Sequence, residues 1–104
     1  MSALTEREAA AVSDALRAIA ECLRHLACGY GLDPRERAAC LTLLAAGIPG
    51  VDTTDLQTAR KFLGQSAHRR LSVRARDRAS QLSVKLAERA EALSQTESRF
   101  PLSG

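Results

Sequence analysis

Aromatic side chains are nearly missing from this 104-residue chain, which has no Trp, one Tyr (Tyr30) and two Phe (Phe62 and Phe100). Sheets draw on aromatic and β-branched residues. A core without them must be built from Leu and Ala, which suit close-packed helices, and an all-α fold is expected. Long hydrophobic runs are missing too. None nears the roughly 18 apolar residues that cross a bilayer, so neither a membrane span nor a membrane partner is expected. The sequence has no glycine-rich phosphate loop and no Cys accompanied by an obvious base in a cleft-forming context. The expectation is a protein with no enzymatic activity and no cofactor. Met1 to Glu8 carry mixed charge and lack the basic start and apolar stretch of a secretory signal. That points to the cytoplasm, where thiols stay reduced.

What is present is helix punctuation. Thr5-Glu6-Arg7-Glu8 fits a capping box, a hydroxyl followed three residues later by a carboxylate. The helix it opens should run to about Cys28, where Gly29 and Gly31 can take left-handed conformations. Val12, Leu16, Ile19, Leu23, Leu26 and Tyr30 recur by fours and threes along it, a heptad seam of about three repeats. Asp33 and Pro34 begin a second helix as cap and first residue, with an apolar face of Cys40, Leu41, Leu44, Ala45 and Ile48. Gly47-Ile48-Pro49-Gly50 is a turn by composition. A short third helix is expected from a Thr53 or Thr54 cap to Gly64, carrying Leu56, Ala59, Phe62 and Leu63.

Ser66 is the expected cap of a last helix that continues to about Gln95, with an apolar seam of Leu71, Ala75, Leu82, Leu86 and Leu93. At 1.5 Å per residue such a rod is about 45 Å long, against about 30 Å for a small domain. It must overhang the core or pair with a second molecule. The architecture is therefore a small bundle of three to four helices with long first and last members. Residues 1–95 form one helical domain and 96–104 a flexible tail in which Pro101 bars helix. A homodimer is expected, joined through the seam residues Val12, Leu16, Ile19, Leu23 and Leu26 of the first helix, Leu82 and Leu86 of the last, or both.

Charge is unevenly placed. Arg60, Lys61, Arg69, Arg70, Arg74, Arg76 and Arg78 stand against Asp77, a local +6, so the rest of the chain carries −3 of the net +3. Arg outnumbers Lys thirteen to two, and Arg makes bidentate contacts that Lys cannot. Arg70, Arg74 and Arg78 recur every four residues, so on one helix they form a cationic strip, with Lys85 on the same side and Arg69 and Arg76 on the other. Three partners suit it: the protein's own Glu8, Asp14 or Glu21 as an internal brace, an acidic protein surface, or nucleic-acid phosphates. No aromatic residue is interleaved with the basic ones, which argues against stacking on single-stranded bases.

Thr58-Ala59-Arg60-Lys61-Phe62-Leu63-Gly64-Gln65-Ser66-Ala67 resembles the helix-turn-helix of phage repressors: Ala, then Gly, then a hydroxyl-bearing helix start. Ala59 precedes Gly64 by five residues where that family has four, and Arg70 stands where it has an aliphatic residue. The resemblance implies a dimeric DNA-binding regulator with the motif around residues 54–78, Gln65 to Arg78 entering the major groove and Arg60 and Lys61 on phosphates.

Cys22, His25, Cys28 and Cys40 follow C-x2-H-x2-C-x11-C, a candidate zinc set. The first three would be spread over about 120° of one helix, which opposes convergence on a tetrahedral ion, and free Cys commonly serves as a small buried hydrophobe. Core cysteines and no metal are the expectation. The leading functional expectation is a non-enzymatic adaptor or inhibitor, of bacterial or mobile-element type, docking a helix face and its basic strip on a larger protein or nucleoprotein complex. A DNA-binding regulator is the alternative.

Overall fold

The computed structural model describes residues 5–67 and 69–102, the stretch 95–102 by its backbone alone. It is all-α, with four helices and no strand among the described residues: α1 (Glu6–Ala27), α2 (Pro34–Ala46), α3 (Thr53–Gln65) and α4 (Val73–Leu102). The bundle measures 51 × 23 × 22 Å, its long axis matching the roughly 45 Å of a 30-residue helix.

Local chemistry sets the helix ends. At α1 the capping box forms as expected: Thr5 Oγ1 accepts from the Glu8 N–H, and the Glu8 carboxylate accepts from the Thr5 N–H. Its far end closes as a Schellman motif, with the Tyr30 N–H donating to the His25 carbonyl and the Gly29 N–H to that of Leu26. Gly29 takes φ +85°, the left-handed region that this motif requires. Asp33 caps α2 through the Arg35 N–H, and Gly47 ends it at φ +83°. For α3 the cap is Asp52, whose carboxylate accepts from the Thr54 N–H; Thr53 and Thr54 are the first two helical residues instead.

The last helix begins six residues later than expected: its cap is Ser72, not Ser66. Ser66 caps the end of α3 and donates its hydroxyl to the Leu63 carbonyl. Ser72 starts α4, accepting from the Ala75 N–H at its Oγ and from the Arg76 N–H at its carbonyl. Between the two serines runs a connection whose Leu71 is buried, which draws the chain off a straight helical path. At the other end the helical backbone passes Gln95 and continues to Leu102, so the stop expected at Pro101 is not seen. Proline's fixed φ is itself helical, and the hydrogen bond it forgoes falls in the closing turns. Residues 103–104 lie outside the described residues.

α1 and α4 pack antiparallel along most of their length and form the spine of the bundle. Ser13, buried in α1, donates to the Ala90 carbonyl at 3.0 Å and meets Ser94 Oγ at 3.1 Å. Nearby, Arg17 reaches Ser94 and Glu91. The heptad seam fills this spine: Leu16, Ile19 and Leu23 have no exposed surface, and Leu82 and Leu86 are buried opposite. Phe62, Leu63, Leu56 and Ala59 of α3 and Cys40 and Leu44 of α2 complete the core. Tyr30, expected in the seam, is 68% exposed, because the chain reverses at Gly29 before reaching it.

Candidate anion-binding surface

The seven basic residues of the sequence cluster do not share one helix. Arg60 and Lys61 lie exposed on α3, Arg69 and Arg70 in the connection, and Arg74, Arg76 and Arg78 on the first turns of α4. The four-residue ladder therefore loses Arg70. The local reason is the Ser72 cap, which fixes the helix start after Leu71.

The structure divides the cluster in two. Arg74 and Arg78, one turn apart, share an exposed face of α4. Arg78 lines a shallow groove against Thr54 and Thr58 of α3. Lys61 lies one turn beyond Thr58 on that same side of α3. The other edge of the groove is pinned by Lys85, whose Nζ lies 2.7 Å from the Asp55 carboxylate. That hydrogen bond and the carboxylate charge hold the Lys85 ammonium above its ordinary range. Arg76, two residues from both Arg74 and Arg78, points to the opposite side of α4. There it joins Arg69 and Arg70 around a separate cleft near the end of α1.

Among the described residues, carboxylates elsewhere in the chain make no ion pair with these cations. Glu8 serves the α1 cap. Glu21 pairs with Arg24 and, at 3.4 Å, with His25; the Arg24 hydrogen bond, opposed by some desolvation, holds its carboxyl below the ordinary range. Among the described residues none of the seven cations makes an ion pair. Guanidinium groups in this state offer planar forks to incoming oxyanions.

The cysteine and histidine set does not gather. Cys22 and Cys40 are buried with their sulfurs 3.0 Å apart, and Cys40 also approaches the Ala18 carbonyl. Cys28 is exposed. His25 faces Glu21 and stands edge-on to Tyr30, ring centres 6.5 Å apart. No group of three or more metal-ligating side chains converges among the described residues. The helix-turn-helix expectation also changes. Gln65 closes α3, residues 66–72 connect, and only 73–78 belong to α4, where that motif needs a turn of three or four residues.

No family model, characterised protein or solved structure matches this chain. The site must be judged on its own chemistry. No helix among the described residues is long and apolar enough to cross a membrane. The cleft beside Arg76 escaped sequence reasoning because its two walls, residues 28–32 on one side and Ser66 with residues 69–71 on the other, lie far apart in the chain. Only the Gly29 and Gly31 pair and the Arg69-Arg70 doublet hinted at them.

Proposed function

We propose that this chain is a small non-enzymatic binding protein that docks its basic α3–α4 face on an acidic surface of a larger protein or nucleoprotein complex. One observation carries this reading: Lys61, Arg74 and Arg78 stand on one exposed face with no ion pair among the described residues. An internal brace would have spent Glu8, Asp14 or Glu21 on them, and Glu21 is engaged with Arg24 and His25. Unpaired arginines on a rigid helix suit carboxylate or phosphate recognition, because the fork loses little freedom on binding. The seam that suggested a homodimer is filled by the chain's own helices, so self-association forms no part of the proposal.

Affinity capture from a lysate of the source cells, with and without nuclease, tests the reading. A specific protein retained after nuclease, and lost with the Arg74→Glu/Arg78→Glu variant, is the expected result. Capture that disappears with nuclease, together with a log affinity for duplex DNA that falls against log salt at a slope of about −3 or steeper, would assign the face to nucleic acid. Capture unchanged by the double reversal, with a lowered melting temperature, would return these arginines to a purely structural role.

A further inference from the structure

A cleft of about 490 Å³ opens between the turn that follows α1 and the connection that precedes α4. Its size falls within the roughly 300–1,000 Å³ of small-molecule sites. Arg69, Arg70 and Arg76 line it, together with the side of Ser66. Leu26 and Leu71, both buried, and half-buried Leu32 form its apolar wall. Tyr30 stands exposed at its rim.

Arg76 is the informative member. Its Nε is shut off from solvent and has no hydrogen-bond partner among the described residues. Its Nη1 lies so close to Gly29 that a Cβ there would sit 3.2 Å away. Gly29 is favoured by its positive φ, and a Cβ there would also press on the Arg76 guanidinium. A guanidinium N–H shut off from water, in a side chain with no ion pair among the described residues, is costly unless an acceptor completes it. Arg69 and Arg70 add to the positive potential of the same cleft, where a ligand's negative charge is the missing element.

We infer that this cleft binds a small phosphorylated molecule, its phosphate held by Arg69, Arg70 and Arg76 and its organic part resting on Leu26, Leu32 and Leu71. A phosphomonoester carries nearly two negative charges and three strong acceptor oxygens, which answers three guanidinium forks better than a single carboxylate does. The apolar wall favours an ester with a hydrophobic portion over the inorganic ion. This site is independent of the docking face, since Arg76 projects from the opposite side of α4 to Arg74 and Arg78.

Amide chemical shifts of the full chain, titrated with phenyl phosphate, inorganic phosphate and benzoate, test the assignment. Phenyl phosphate should give saturable shifts confined to residues 28–32 and 66–76, with a Kd near or below about 1 mM. Inorganic phosphate and benzoate should each bind about tenfold more weakly or worse. Arg76→Gln should weaken phenyl phosphate about tenfold or more; Arg70→Gln, at an exposed loop position where folding is not at stake, should do likewise. Arg74→Gln/Arg78→Gln should leave it unchanged. No saturation by about 10 mM phenyl phosphate, equal binding of benzoate, or shifts abolished by the Arg74/Arg78 pair and not by Arg70→Gln would each overturn the inference.

Discussion

The three cysteines occupy chemically distinct places, and reactivity should separate them. Cys28 caps the end of α1 and is exposed, while Cys22 and Cys40 meet in the core at 5% and 3% exposure. The hydrogen bond with Cys40, then burial, pushes the Cys22 thiol far above its ordinary range, and a thiol is inert until it ionises. Burial shields both core thiols from reagent, so iodoacetamide on the native protein should add one group, at Cys28, and three in denaturant. Peptide mass mapping checks this. Rapid native labelling of Cys22 would mean that α2 opens readily from α1. Lys85 makes a second residue-scale case. Its pKa is raised above the ordinary 10.5 by Asp55, so its contribution is present below pH 10.5 and is lost as pH climbs through the raised folded value. The melting-temperature gap between wild type and Lys85→Met should be small, because Lys85 is 64% exposed, and should close in strongly alkaline buffer.

At the scale of the helix, two serines compete for one role. Ser66 and Ser72 both precede arginine-rich, helix-compatible sequence, and the Arg70–Arg74–Arg78 spacing continues helical periodicity straight through the connection. The helical periodicity does not mark the break. It follows from Leu71, which enters the core, and from Ser72, whose Oγ accepts the Ala75 N–H. Ser72→Ala should cost about 1 kcal/mol in urea unfolding as a lost N-cap, whereas Ser66→Ala should stay within about 0.5 kcal/mol. The reverse order would place the start of α4 at Ser66 after all. α1 and α2 were legible because their ends are written in short-range chemistry: Thr5 with Glu8, Asp33 with Pro34, and the glycines at 29 and 47. α3 was legible except for its cap, since Asp52, Thr53 and Thr54 are all competent and only the backbone path selects Asp52. The cleft around Arg76 was illegible for a different reason. It arises where residues 28–32 meet Ser66 and residues 69–71, and no local periodicity encodes that meeting.

For the whole molecule the question is what the seam of α1 does. A heptad stripe on a long helix equally suits a partner chain or a neighbour in the same chain, and periodicity alone cannot distinguish them. Here the antiparallel return of α4 supplies the neighbour: Leu16, Ile19 and Leu23 are fully covered, and Leu82 and Leu86 are buried from the other side. Two features set this register. Ser13 finds the Ala90 carbonyl within the spine, and Ala79 and Ala90, with no exposed surface, allow close helix approach. Among the described residues the exposed large apolar side chains are Tyr30, Val73 and Val84, scattered singly and short of the contiguous patch that stable self-association needs. Light scattering should accordingly return a mass near the 11.2 kDa of one chain, even at high micromolar concentration. Leu16→Ala tests the same packing by energy. It removes a fully buried side chain and should destabilise by about 3 kcal/mol, with a melting temperature that does not change on dilution. A doubled mass, or a melting temperature that falls as the protein is diluted, would mean that the spine is shared between two chains.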